Sequence, residues 1–195
     1  MTLALLIGFA LSLLIETFKS GQNPNTFTSM KGKARIIGNK DEFAIEYKVT
    51  ETSQMLGFAK IWIQSQFYGT SEDLIYLKSY LYRLVEDLLN AEPININTSE
   101  LDTGQIYERL NFLNTSCSKI QIASSTFTDD FIGYKYSIND EIIMIWKIRD
   151  DVDMIFDDLR DYDKSIKSAK FSKYLGRSIF NELKNEIEIT EQNSS

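Results

Sequence analysis

Two neighbouring stretches of strict two-residue alternation set the limits on what this chain can fold into. In Phe43–Thr50 (FAIEYKVT), Phe43, Ile45, Tyr47 and Val49 share one face, and Ala44, Glu46, Lys48 and Thr50 the other. Only an extended strand places every second side chain on one side, so this segment is predicted to be a half-buried antiparallel strand. In Met55–Ser65, Ala59, Ile61 and Ile63 alternate against Lys60 and Trp62, and Gly57 marks a bulge or a close backbone approach. The short Glu51–Gln54 link joins the two as a hairpin. ARIIG (Ala34–Gly38) adds a strand ahead of them, stopped by the turn-prone Gly38–Asp41. Strand chemistry returns in KIQIA (119–123), GYKYSI (133–138) and EIIMIWKI (141–148), the last two joined by a tight Asn139–Asp140 turn.

Between these strands the period lengthens. Leu74, Leu77, Leu81, Leu84 and Leu88 recur at three- and four-residue steps behind Ser71, Glu72 and Asp73, which predicts an amphipathic helix over 71–90. Residues 100–112 and 170–187 carry weaker helical patterns, the latter through Phe171, Tyr174, Leu175, Ile179, Leu183 and Ile187. Strands arriving as hairpins point to an α+β fold. Its expected form is an antiparallel sheet of about five strands, with two to three amphipathic helices packed on it.

Residues 30–195 hold every periodic element and are expected to form a single domain. Residues 1–29 form a hydrophobic and polar extension of different character. Leu3–Ile15 is an uncharged run of thirteen residues, short of the roughly 20 that a spanning helix needs. It lacks the basic flank and cleavage signal of a secretory leader. It reads as a weak membrane anchor, a helix packed on the domain or a partner, or an over-long start ahead of Met30. The last is the preferred expectation, which makes the protein cytoplasmic. Inner-membrane association, and any membrane contact, depend on Leu3–Ile15 being a genuine anchor.

Composition removes much of the enzyme repertoire. The chain has no histidine, which excludes Ser-His-Asp and Cys-His catalysis and histidine-ligated zinc. Its single cysteine, Cys117, excludes an internal disulfide and a thiolate metal cage. A net charge of −7 argues against a nucleic-acid partner. No phosphate-binding loop or dinucleotide fingerprint is present, and no cofactor is implied.

Charge is concentrated in one place. DDVDMIFDDLRDYD, residues 150–163, holds seven aspartates against Arg160 alone, and a lysine-rich stretch follows it. The block lacks the glycine and register of a calcium loop. It reads as a solvated surface, a partner-binding patch or, least of all, a metal site, and Asp150, Asp151, Asp153, Asp157 and Asp158 are the residues expected to meet a basic partner. A second pattern, Glu46-x-Lys48 on a strand with Asp41 nearby, matches the carboxylates and lysine of a magnesium nuclease. An exposed cross-strand ion pair explains the same residues.

The order of these motifs resembles a known group. Ile37-Gly38-Asn39, then Phe43-Ala44-Ile45, then Trp62-Ile63, followed by a helix containing LYRLVEDLL, is similar to the immunity protein 42 family. That family belongs to bacterial polymorphic and contact-dependent toxin systems. Ile37, Gly38, Phe43, Ala44, Ile45 and Trp62 carry the likeness as fold determinants. The resemblance implies a non-catalytic inhibitor that binds and neutralises a cognate toxin domain and protects the producing cell. The acidity of the chain suits a basic, nuclease-type toxin. A metal-dependent nuclease using Asp41, Glu46 and Lys48, and a membrane-tethered accessory protein, remain as alternatives.

Overall fold

The computed structural model describes residues 33–98, 100–114, 118–151, 153 and 155–193. The expectations for residues 1–29, for a start at Met30 and for Cys117 fall outside them. The strands are β1 (Arg35–Asn39), β2 (Phe43–Glu51), β3 (Leu56–Ile63), β4 (Gln66–Tyr68), β5 (Ile75–Tyr76), β6 (Phe131–Ile138), β7 (Glu141–Ile148) and β8 (Lys167–Ser172). The α-helices are α1 (Tyr82–Leu89), α2 (Thr103–Asn114), α3 (Asp157–Arg160) and α4 (Lys173–Gln192).

The fold is α+β and antiparallel throughout its two sheets, one of five strands and one of three. In the larger sheet β2 pairs β3 with Phe43 opposite Ile63, Ile45 opposite Ile61 and Tyr47 opposite Ala59. That register gathers the apolar face predicted from the alternation, and all six side chains are buried. Ile179, Leu183 and Ile187, spaced four apart on α4, belong to the same core. Gly57 is the expected close approach: a Cβ there would lie 2.1 Å from the Lys48 carbonyl oxygen.

Strand β7 explains its own composition. Ile142, Met144, Trp146 and Ile148 enter the main core. Ile143 and Ile145 face a second cluster with Tyr107 and Leu110 of α2 and Tyr134 and Tyr136 of β6. A strand buried on both faces has no need of alternation, hence the unbroken IIMIW.

Three elements differ from their sequence pattern. The helix expected over 71–90 begins only at Leu77, with one π-helical turn ahead of α1. Ser71 cannot cap it, because its hydroxyl donates to Asp158. Ile75 and Tyr76 are drawn into pairing with Gly57 and Leu56. KIQIA forms a short 3₁₀ turn (Ser118–Ile120) and a single bridge from Gln121 to Tyr134. Residues 170–172, expected as helix, end strand β8, where Ala169 and Phe171 alternate inward and Phe171 stacks on Phe43 at 4.2 Å.

Gly38, next to the last residue of β1, has φ +92°, and a Cβ there would lie 2.4 Å from the Phe43 carbonyl oxygen and 2.6 Å from Ile179 Cδ1. A left-handed backbone and a clash with a rigid strand both oppose a side chain. Gly38→Ala should destabilise the protein by about 2 kcal/mol or more. Calorimetry should show a melting temperature lower by roughly 4–8 °C.

Candidate functional site

The acidic segment leaves β7 and crosses back over the larger sheet before β8 begins. Its aspartates fall into two populations. Asp158 turns inward: Lys60 Nζ on β3 lies 2.7 Å from its Oδ2, and Thr70 Oγ1 donates to Oδ1 at 2.8 Å. Ser71 adds its backbone N–H and hydroxyl at 2.9 and 2.8 Å. Burial pushes the Asp158 pKa up, but donation from Lys60, Ser71 and Thr70 outweighs it, and the net shift is downward. A carboxylate held this way is part of the fold.

The other four aspartates expected to meet a partner stay at the surface, all exposed. Asp150 accepts from Lys147 at 2.8 Å, and Asp151 takes a two-pronged bond from Arg149 Nε and Nη2 at 3.1 and 2.9 Å. Asp157 pairs with Arg160 at 2.9 Å. Asp153 lines a cleft of ≈370 Å³ with Asp73, Asp129, Asp130, Arg149 and Phe156. Thus the structure brings Asp150, Asp151, Asp153 and Asp157 to solvent and withdraws Asp158 from them. The pairing cations lie on β3, on β7 and directly after it, and on α3; the lysine-rich stretch contributes Lys167, which bonds Asp163.

The cleft adds acids that the sequence pattern did not single out. Asp73 Oδ2 is enclosed with no hydrogen-bond partner among the described residues. Burial raises the pKa of Asp129 and of Asp130; Asp73 pushes both further, and Asp129 adds to Asp130. Among the described residues Arg149 is the one basic residue lining the cleft, and its guanidinium is engaged by Asp151. Ile155, 73% exposed, stands at the rim. The consecutive Asp129-Asp130 before an apolar strand was the available signal; Asp73, far away in sequence, gave none.

The alternative nuclease residues are engaged locally. Asp41 accepts from Ser65 Oγ at 2.5 Å, and one Glu46 oxygen receives both Lys40 Nζ and Trp62 Nε1 at 2.7 Å. Lys48 shares the Glu46 face of β2, opposite Phe58 on β3. Among the described residues no group of three or more His, Cys, Asp or Glu side chains is arranged to hold a metal. No described helix is long and apolar enough to cross a membrane. Of the motif residues, Ile37, Phe43, Ala44 and Ile45 are buried, while Trp62 is half-buried beneath the Lys40 ammonium, 3.9 Å from the ring centre.

Two predictions separate these roles. Asp158→Ala strands Lys60 in a largely buried position, and should cost about 3 kcal/mol in chemical denaturation. Asp153→Asn should move the melting temperature by no more than about 1 °C. The acids also differ in pH response. The Asp158 contribution is present above its ordinary pKa of 3.8 and is lost as pH falls through its lowered folded-state value. For Asp130 the sign reverses: the folded state favours the protonated form. Asp130→Asn should therefore stabilise the protein at pH 7, with the gain shrinking as pH falls toward 3.8. Thermal melts of both proteins across that range measure it.

The fold is similar to that in the crystal structure of CdiI from Burkholderia dolosa AUO158, with a TM-score of 0.53 and 11% identity. The likeness covers 78% of this chain and 99% of that one. A search among curated proteins finds no match. The family model for immunity protein 42 matches residues 36–186, spanning the hairpins, both sheets, the acidic segment and most of α4. The chain belongs to the immunity protein 42 family.

Proposed function

We propose that this chain is a non-catalytic immunity protein that binds the toxin domain made beside it and neutralises it through the acidic face carrying Asp150, Asp151, Asp153 and Asp157. Asp158 serves that face from below, by holding the segment in place. The observation that carries this reading is the family match over residues 36–186. The site adds the chemistry of the contact: four exposed carboxylates, the Asp73–Asp129–Asp130 cleft beside them, and the apolar Ile155 at its rim.

The toxin we infer is of the nuclease type. A nuclease holds phosphates on a basic surface. An acidic inhibitor face competes for that same surface, and attraction between opposite charges speeds the encounter. Such a toxin is met where its nucleic-acid substrate lies, so protection of the producing cell takes place in the cytoplasm.

The test is association with the toxin domain encoded beside this chain. Asp151, Asp153 and Asp157 are changed to Asn together, a set that leaves the Asp158 anchor intact. At low salt the association rate should fall roughly tenfold, within the range that steering supplies. The difference should close near 1 M salt, where screening acts within about 3 Å. Equal rates for both proteins at both salt levels would remove the acidic face from the interface.

A further inference from the structure

Ile155 combines exposure, charged surroundings and a fixed backbone. It is 73% exposed, the most exposed large aliphatic side chain among the described residues. The exposed Asp153 and Asp157 stand two residues to either side of it. Ile155 and Asp153 also share the wall of the ≈370 Å³ cleft with Asp73, Asp129 and Asp130. Directly after Ile155 the chain is pinned. Phe156 packs against the main core, and the Asp157 N–H donates to Glu72 Oε2 at 2.7 Å. The Asp158 carboxylate is held by Lys60, Thr70 and Ser71, and Leu159, the next residue of α3, is 1% exposed.

A lone aliphatic side chain at the surface is ordinary and by itself carries no message. Here the hold and the charge give it one. A β-branched side chain has few rotamers, and Phe156 and Asp158 fix the backbone beside it. An apolar group already in place loses little freedom when a partner covers it. Exposed carboxylates cannot supply the same hold. They guide approach and set orientation, but water and salt screen them and they add little to the lifetime of a complex. An acidic face alone attracts a basic partner and releases it quickly, whereas an aliphatic group in its midst, once buried, slows release.

We propose that Ile155 is the apolar anchor of this acidic face, entering a recess on the partner protein that is apolar inside and ringed by lysine or arginine. Such a rim is complementary to Asp153 and Asp157. Long basic side chains line a recess with their methylene stems while their charged ends reach out to the carboxylates. The paired charges at the rim then keep water from the buried centre. The proposal rests on the immunity reading for the identity of the partner; the division of work between Ile155 and the carboxylates is its own claim.

The test reads association and dissociation separately. The full wild-type chain and the variants Ile155→Ala, Ile155→Asn and Ile155→Val are measured against the toxin domain encoded beside this chain, at low salt and near 1 M salt. Ile155→Ala and Ile155→Asn should dissociate roughly tenfold faster or more, with association rates within about twofold of wild type. That ratio should be the same at both salt levels, because screening acts on charge and not on apolar burial. Ile155→Val keeps the branched shape and should stay within about threefold of wild type. In calorimetry Ile155→Asn should bind with a less negative heat-capacity change, the mark of lost apolar burial. Melting temperatures should remain within about 2 °C of wild type. A larger drop places Ile155 in the fold and overturns the anchor. A loss confined to the association rate, or one that closes at high salt, assigns the effect to charge and overturns it as well. A toxin held as long by Ile155→Asn as by the wild type removes the anchor while the immunity reading survives. A toxin that does not bind the wild-type chain at all overturns the immunity reading, and the anchor with it.

Discussion

A lysine on a central strand must find an anion, and much of this molecule is arranged around that need. Lys60 lies on β3 between β2 and the β4–β5 edge, with 11% of its side chain exposed. An ammonium so far removed from water is tolerable only if paired and hydrogen-bonded. Asp158 supplies the charge, and Thr70 and Ser71 satisfy its remaining lone pairs. The pair therefore fixes three separate pieces of chain: the middle of β3, the turn after β4, and the acidic segment. With Asp158 anchored, Tyr162 reaches both sheets. Its hydroxyl donates to the Phe67 carbonyl at 2.7 Å and accepts from Trp146 Nε1 at 2.8 Å. Burial pushes the Tyr162 pKa up to about 12, so the hydroxyl keeps the proton it donates. A second buried pair, Lys135 with Asp87 at 2.7 Å, ties β6 to α1 in the same manner.

How much of this could be read from the chain follows from the range of each interaction. The β2–β3 and β6–β7 hairpins are legible because their register depends on alternation within a few residues of a short turn. Gly57 and Gly38 are legible as punctuation, although only the structure shows what a side chain would strike. Residues 71–76 are not legible: their local pattern is that of a helix start, and it is overridden by Asp158, about ninety residues later, and by pairing with β3. Strand β8 was hidden for a related reason. Ala169 and Phe171 alternate, but Phe171 also continues the four-residue spacing of α4, and only the stacking on Phe43 decides between the two. The acidic segment shows the same limit within one motif. Its charge density is plain in the sequence, but the division between Asp158 and its exposed neighbours depends on a lysine on β3. The cleft acids Asp73, Asp129 and Asp130 meet Asp153 only through the tertiary fold.

That division has a consequence for how an acidic face can work. Exposed carboxylates with nearby cations contribute little to binding strength, because water and salt screen them and long side chains lose freedom when ordered. They act on encounter and on orientation. Strength has to come from groups that are already desolvated or apolar and already in place. Such groups surround the exposed charges: Asp73, Asp129 and Asp130 in their cleft, Ile155 at its rim, and Phe67 and Tyr162 together with Asp158. Phe67 lies on β4 and Tyr162 is held by its two hydrogen bonds, so little ordering of these two remains to be done when a partner arrives. The mutual repulsion of the cleft acids raises the free energy of the isolated protein, and a basic partner would relieve it. The interaction that stabilises the fold, at Asp158, and the unmatched charge of the cleft, where Asp153 meets Asp73, Asp129 and Asp130, thus share the acidic segment. Removing the first dismantles the surface, while neutralising the second leaves a folded protein with less to offer a basic partner.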